Sequence, residues 1–292
     1  MVRRQLFSLA AAGALIVSLA AVATVSAAPP VQVTAGPPLG LVIPRDAHAS
    51  GGYKGGINNL LYHNGEIIRA ASVTAIFWGP GWSNPGDKIT EITGIDTFYT
   101  GFNGSHYAKT SDEYTGTNGQ VTSPLAYKGH MVDTTTASGG GSTSAILNEV
   151  AKEIGANVVH NGYYPVYVDL PRGSAGYCGW HSWGTINNGS QNVLVQFAFF
   201  WNLDNDPGCN PSSGVATESE GLAAIANTSA HELSEARTDP DGTGWYDLQG
   251  QENGDKCNWN FLHPYVTFSD GTTWKVQSEW SNKARGCIDS AP

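Results

Sequence analysis

Three side chains in one short stretch have the types and spacing to bind a metal ion and activate water. His231 and Glu235 are four residues apart, so on a helix they lie one above the other on the same face. Such a pair can hold one ion, and Glu232, next to the first ligand, can then polarise a water molecule. The pattern is the zinc-protease signature H-E-x-x-H with glutamate in place of the second histidine.

A second acidic pair, Glu252 and Asp255, follows shortly before Cys257. If a disulfide holds Cys257, this loop can fold back on the helix and supply the third protein ligand of a catalytic zinc, which leaves a fourth position for water. Spacing does not decide which of the two carboxylates is that ligand. The alternative to a metal site is a hydrogen-bonded pair of His231 and Glu235, with both downstream acids solvated in a turn.

The donor set of one imidazole and two carboxylates determines which ion we expect. This set is suited to zinc, because it is the common His2Glu set with one imidazole replaced by a carboxylate. The exchange makes the site harder and more anionic, so Mn2+ and Ca2+ stay alternatives. The added negative charge also raises the pKa of water at the ion, so less of it is ionised near neutral pH. The pattern therefore favours a metal site more strongly than efficient hydrolysis.

Two further side chains are candidates for stabilising an oxyanion. His181 lies close to Cys178 and between two tryptophans, and it is either an alternative ligand, a hydrogen-bond donor to the transition state, or a packed histidine. Tyr246 can offer its hydroxyl to an oxyanion, or it packs the loop after the helix together with Trp245. No G-x-S-x-G sequence occurs, so a serine nucleophile is not indicated.

The elements that must position these residues follow from hydrophobic spacing. Apolar residues at helical intervals predict helices over residues 88–102, 142–154 and 218–236. Runs of β-branched and aromatic residues predict strands at 72–78, 165–170, 191–201, 266–268 and 275–277. The run at 191–201 is almost continuously apolar, which is typical of a central strand covered on both faces.

The four cysteines are Cys178, Cys209, Cys257 and Cys287. An even number in an exported chain favours two disulfides. Of the three possible pairings we favour Cys178–Cys209 and Cys257–Cys287, because neighbours in sequence close the smaller loops. No two cysteines have the close spacing of a thiolate zinc site.

Residues 1–28 predict an export signal. Arg3 and Arg4 precede an apolar run over 9–25, and small residues follow it as a cleavage site. The paired arginines are also compatible with twin-arginine export. No second hydrophobic span follows, so we expect a secreted monomer with no membrane contact after signal cleavage.

The rest of the chain divides into two predicted parts. Residues 29–57 are rich in proline, glycine and alanine and predict a flexible segment. Residues 58–292 are long enough for one large domain. The formal net charge of -10 argues against nucleic acid as a partner, and no basic cluster offsets it.

Several segments together resemble a known family. The residues that carry the resemblance are His231 to Ala236, Thr238-Asp239-Pro240, Trp245-Tyr246, Glu252, Asp255, Tyr177 to His181, Trp280 and Cys287. They are similar to the signature of the EXORDIUM or phosphate-induced protein family, which is best known from plant cell walls and has bacterial relatives. The similarity extends over residues 72–287.

This resemblance implies a secreted, zincin-like α+β domain. Such a domain has a mixed β-sheet, an active-site helix with the H-E-x-x-E motif, and a C-terminal part stabilised by disulfides. The family has no firmly assigned reaction. The alanine-rich signal suggests a microbial exported member, so we do not transfer a plant growth role.

Two functions of different class follow from these observations. The first is a secreted metal-dependent hydrolase, a peptidase, in which His231, Glu235 and Glu252 bind zinc. Asp255 is then a further ligand or supports one, and Glu232 is the general base. The second is a non-catalytic binding protein on a degenerate zincin fold, with cell-wall polysaccharide or protein as its partner. An ion with a purely structural role is a third possibility.

Overall fold

The computed structural model describes residues 33–50, 58–83, 87–211 and 218–292. The predicted export signal lies outside these residues. The helices are α1 (Arg45–Ser50), α2 (Asp87–Phe102), α3 (Thr143–Ile154) and α4 (Glu220–Thr238). The strands are β1 (Val33–Ala35), β2 (Leu61–Tyr62), β3 (Ser72–Trp78), β4 (Thr115–Gly116), β5 (Gly119–Gln120), β6 (Ala126–Asp133), β7 (Gly162–Pro171), β8 (Gly179–Asn187), β9 (Asn192–Asn202), β10 (Trp245–Tyr246), β11 (Val266–Thr267), β12 (Thr273–Trp274), β13 (Glu279–Ser281) and β14 (Gly286–Ile288).

A mixed six-stranded sheet forms the centre of the fold, in the order β1-β8-β9-β7-β3-β6. Strands β9, β7, β3 and β6 pair in parallel, whereas β8 is antiparallel to both β9 and β1. The apolar runs of β7 and β9 place them inside the sheet, as expected for strands covered on both faces. The fold is therefore α+β with a mixed sheet.

Helices cover both faces of the sheet. In β7, Tyr163 and Tyr167 belong to the core shared with α2 and α4, whereas Tyr164 and Val166 belong to the core shared with α3. This division follows from the alternation of side chains along a strand. Helices α2 and α4 thus lie on the same face of the sheet and contact each other, and α4 also packs against β8.

The ends of α4 follow from its sequence. The Ser219 hydroxyl accepts the Leu222 N–H at 3.1 Å, which is an N-cap bond. At the other end, the Asp239 N–H donates to the Glu235 carbonyl at 2.7 Å, and Pro240 cannot continue the helix. Every residue from Gly221 to Thr238 is buried, so polar side chains on α4 are buried as well.

The elements predicted from apolar spacing are present, with ends shifted by up to a few residues. One predicted strand is wrong: residues 275–277 are not a strand, and β11 pairs with β12 instead. The reason lies at Gln277, whose main-chain N–H donates to the Asn227 side chain of α4 at 2.8 Å. Strands β6 and β8 were not predicted from the sequence.

Residues 33–43, which the sequence assigns to a flexible segment, lie along the edge of the sheet. We refer to them as the N-terminal arm. Its first part is β1, in which Val33 is opposite Ile186 and Ala35 is opposite Gly184 of β8. Main-chain pairing with an edge strand needs no apolar alternation, so the composition of the arm gave no strand signal. The described residues from Val33 to Pro292 accordingly belong to one compact unit.

Two disulfides join Cys178 to Cys209 and Cys257 to Cys287, which confirms the favoured pairing. The first links the chain before β8 to the loop after β9, and the second links the loop with Asp255 to β14. Disulfides of this kind are typical of exported proteins. Among the described residues, no helix has both the length and the apolar character needed to span a membrane.

Candidate metal centre

The predicted helix pair lies on one face of α4. His231 Nε2 and Glu235 Oε1 are 3.0 Å apart, one helical turn from each other. Both side chains are fully buried. Each residue sits where the i, i+4 geometry of a helix places it, so this part of the site follows directly from the sequence.

The downstream loop folds back onto this pair. The Asp255 N–H donates to Glu235 Oε1 at 2.8 Å, and Asp255 Oδ1 lies 3.6 Å from His231 Nε2. A Cβ atom on Gly254 would lie 2.9 Å from His231 Cγ and 3.0 Å from Glu235 Oε1, so the chain passes too close to the helix for a larger residue. The disulfide at Cys257 holds the end of the loop.

Glu252 reaches a different histidine. Its Oε2 lies 3.7 Å from Nε2 of His181, which projects from β8 towards α4. His181 Nδ1 is 3.0 Å from Glu232 Oε2 and 3.7 Å from Glu235 Oε2. The structure therefore brings all six predicted polar residues of the helix, the loop and β8 together, but it divides them between two histidines.

Two groups of donor atoms result, and they share Glu235. In the first group, donor atoms of His231, Glu235 and Asp255 all lie within 4.8 Å of one another. The second group brings His181 and Glu252 to Glu235 within the same limit. Each group offers one imidazole and two carboxylates, which is the donor set predicted for the ion.

Several atoms at this site lack hydrogen bonds although they are buried. Within the described part of the chain, these atoms are His181 Nε2, His231 Nε2, Glu232 Oε1, Glu235 Oε2 and Glu252 Oε2. A buried polar atom without a partner costs about 1–3 kcal/mol, and more when it is charged. A cation among these atoms would remove that cost, so the residues fit a divalent ion.

The two imidazoles differ in their electrostatic surroundings. Burial lowers the pKa of His231, but the carboxylates of Glu235 and Asp255 outweigh burial and raise it well above its usual value. Burial, aided by the nearby His231, lowers the pKa of His181 to about 3. His181 is therefore neutral, and its one proton is best placed on Nδ1, where Glu232 accepts it.

The buried carboxyl groups are poorly stabilised as anions. Burial, with repulsion from Asp255, raises the pKa of Glu235 to about 7. Burial likewise raises the pKa values of Glu232 and Glu252 well above the usual range, and neighbouring carboxylates add to the shift at Glu252. A cation at this site would stabilise each of these carboxylates.

Gln277, which was not among the predicted site residues, lies behind His231. Its Nε2 donates to the Gly254 carbonyl at 2.9 Å and lies 2.9 Å from His231 Nδ1, and its Oε1 accepts the Trp259 N–H at 3.3 Å. This contact orients the imidazole so that Nε2 faces the acids. No local pattern around Gln277 signals the role, because it depends on a contact 46 residues away.

Tyr246 is placed outside this cluster. It lies in β10, which pairs with β2, and its ring stacks on His63 with a centroid distance of 3.5 Å. This position agrees with one of the two interpretations open from the sequence, in which Tyr246 packs the loop after the helix.

A third acidic group, on the other side of the sheet, is already occupied by a lysine. Asp133, Glu149 and Glu153 lie close together, and the Lys152 ammonium contacts all three. This ammonium supplies the positive charge that a metal would bring.

Comparison with protein-family profiles, curated proteins and solved structures finds no match to this chain. The resemblance to the EXORDIUM family stays a prediction, and the chemistry of the site rests on its geometry.

Proposed function

We propose that this protein is a secreted metal-dependent hydrolase that cleaves peptide bonds, with a divalent cation held by His231, Glu235 and Asp255. The observation that carries the proposal is the convergence of one donor atom from each of these three side chains within 4.8 Å, where His231 Nε2 is buried without a hydrogen-bond partner. A helix with H-E-x-x-E packed on a mixed sheet also supports the zincin-like and EXORDIUM-family assignments, which belong to this proposal.

The third ligand in this proposal is Asp255, whereas the sequence favoured Glu252. Asp255 Oδ1 is 3.6 Å from His231 Nε2, while the carboxylate of Glu252 contacts His181. One imidazole and two carboxylates suit zinc, and Mn2+ and Ca2+ stay alternatives because both prefer oxygen donors.

A divalent cation at these residues would supply Lewis acidity and make water a nucleophile near neutral pH. Glu232 is the general base: its Oε2 is held by His181, and its Oε1 is available to accept a proton from water.

His181 is best assigned a positioning role. Its Nδ1–H faces Glu232, so its Nε2 has no proton to donate to an oxyanion in this arrangement. A histidine that holds a carboxylate by one ring nitrogen fixes the direction of that carboxylate. Glu252 lies at the other ring nitrogen, next to the second oxygen of Glu235.

One observation favours a second candidate, a binding protein with a structural ion. His181, His231, Glu232 and Glu235 have no exposed surface, so a substrate cannot reach them in the described conformation. A structural ion needs no such access, whereas a hydrolase must open.

Glu232→Gln tests the catalytic role against a matched change, Glu220→Gln, at an exposed position on the same helix. After zinc loading, we expect Glu232→Gln to retain bound zinc and to lose at least about a hundredfold of its peptide hydrolysis rate. Glu220→Gln should match the unmodified protein in both measurements. Equal hydrolysis by both variants would remove Glu232 from the mechanism, and zinc binding without hydrolysis by any of the proteins would favour the structural ion.

A further inference from the structure

The N-terminal arm covers the site through its main chain. Beyond β1, the Gly36 N–H donates to the Trp183 carbonyl at 2.8 Å, and the Leu39 N–H donates to the His181 carbonyl at 2.8 Å. The His181 N–H donates back to the Leu39 carbonyl at 3.2 Å. The arm therefore lies antiparallel to β8, beside the strand residue that contacts Glu232.

The same pairing continues to the end of the arm. The Val42 N–H donates to the Gly179 carbonyl at 3.2 Å, and the Cys178 N–H donates to the Val42 carbonyl at 2.7 Å. Together with β1, these bonds extend over the whole length of β8. An edge strand with its hydrogen bonds satisfied in this way has the geometry of β-strand addition, a common mode of peptide recognition.

Gly40 brings the arm into contact with Glu235 and His181. Its φ is +51°, and a Cβ atom there would lie 1.9 Å from Glu235 Oε2 and 2.7 Å from His181 Nδ1. Only glycine allows the main chain to pass so close. Because the arm lies against these atoms, it contributes to the complete burial of Glu235 and His181.

The arm is held mainly by hydrogen bonds to its main-chain atoms, which every peptide has. Besides the pairing with β8, the Ser182 hydroxyl donates to the Pro37 carbonyl at 2.8 Å, and the Trp259 indole donates to the Ile43 carbonyl at 2.7 Å. Val42 is the one large arm side chain that is fully buried, whereas Leu41 is 40% exposed. A different extended peptide could therefore make most of the same bonds.

We propose that the edge of β8 is the binding site for an extended polypeptide substrate, and that the N-terminal arm occupies this edge as a built-in inhibitor. This proposal rests on the proposed hydrolase function for the substrate, but the occupancy of the edge can be measured without hydrolysis. Displacement of the arm exposes the main chain of β8 and opens the site to the peptide that replaces it.

Gly40→Ala tests the proposal, because its methyl group cannot fit beside Glu235. The matched control is Gly173→Ala, at an exposed glycine with a similar φ of +59° and no atom within 4 Å of the added Cβ. The probe for the edge is a fluorescent synthetic peptide with the sequence of residues 33–44, followed by polarisation. The probe for activity is quenched fluorescent casein, with each protein loaded with zinc.

We expect the peptide to bind Gly40→Ala and not Gly173→Ala, and casein hydrolysis by Gly40→Ala to exceed that of the control about tenfold or more. Failure of the peptide to bind, with equal hydrolysis by both variants, overturns the inhibitory arm and leaves the hydrolase standing. Peptide binding without hydrolysis supports the edge site and overturns the hydrolase.

A second variant covers the case in which Gly40→Ala does not fold. Leu39→Pro removes the N–H that donates to His181 and adds no atom at Glu235. In the same assays we expect a smaller change in the same direction. Hydrogen exchange at the His181 amide should also quicken in this variant, and unchanged exchange would contradict the loss of the arm from β8.

Discussion

Glu235 is the residue on which the site depends most. One of its oxygens lies 3.0 Å from His231 and accepts the Asp255 N–H, while the other faces His181 without a hydrogen bond of its own. A histidine at this position, as in H-E-x-x-H, has one coordinating nitrogen directed at an ion. The glutamate instead presents an oxygen to each of the two groups of donors.

Whether Asp255 or Glu252 is the third ligand can be tested by comparing one variant of each. We expect Asp255→Asn to weaken zinc binding by at least about tenfold, because the amide removes a negative charge next to His231. Glu252→Gln should weaken it less, since Glu252 contacts His181. Both changes preserve shape, so each serves as the control for the other. Competition with a chelating dye gives the affinities, and a larger loss in Glu252→Gln would restore Glu252 as the third ligand.

Helix α4 and the loop after it act as one unit at the level of elements. The loop reaches α4 at Gly254, and its end is tied to β14 by the disulfide of Cys257. The position of Asp255 therefore depends on a backbone approach and a covalent bond as well as on its own side chain.

Gly254→Ala should separate the loop from α4. The added Cβ would lie 2.9 Å from the His231 ring, and His231 is fully buried and cannot move away easily. We expect weaker zinc binding together with a lower melting temperature. Gly141→Ala, where a Cβ meets no atom within 4 Å, should change neither property. Unchanged zinc affinity in Gly254→Ala would mean that the loop does not supply a ligand.

The elements differ in how far the sequence predicts them. Helices α2, α3 and α4 and strands β3, β7 and β9 have continuous or periodic apolar residues, which signal burial directly. Exposed and half-buried residues alternate along strand β6 up to its buried last residue, and β8 mixes glycine, serine, histidine and tryptophan, so neither has such a run of buried apolar residues. The N-terminal arm is held mainly by main-chain hydrogen bonds, which leave no trace in composition.

The residues of the candidate site also differ in how far the sequence predicts their positions. His231 and Glu235 are predictable because helical geometry fixes their relation over four residues. The return of the loop with Glu252 and Asp255 to the helix is predictable from a disulfide at Cys257, whereas the choice of Asp255 as the acid beside His231 is not. The contact of His181 with Glu232 spans 51 residues, and Gln277 lies 46 residues from His231. Such pairs depend on how β8 and the C-terminal segment pack on α4, which no local spacing specifies.

At the scale of the whole molecule, buried acids make stability depend on pH. Glu91 on α2 is 4% exposed and shares Lys88 with Asp204, from the loop after β9. Burial, with the hydrogen bond to Asp204, raises the pKa of Glu91 to about 8 from 4.5. The folded protein therefore holds this proton more tightly than the unfolded chain does.

The resulting contribution to stability is complete below about pH 4.5 and is lost as the pH rises through about 8. We expect the free energy of unfolding to fall between pH 5 and 9, and Glu91→Gln to reduce this fall by on the order of 1–2 kcal/mol. Urea unfolding at pH 5, 7 and 9 measures both proteins. If the free energies of unfolding of the two proteins change with pH in parallel, the pH dependence does not come from Glu91.

The proposed metal centre requires that His231, Glu235 and Asp255 share one divalent cation. Anomalous scattering at the zinc edge, from crystals equilibrated with zinc, measures this directly. We expect one peak about 2.0–2.2 Å from His231 Nε2 and from a carboxylate oxygen of each acid. At saturating zinc, the absence of a peak among these three side chains would contradict the central claim.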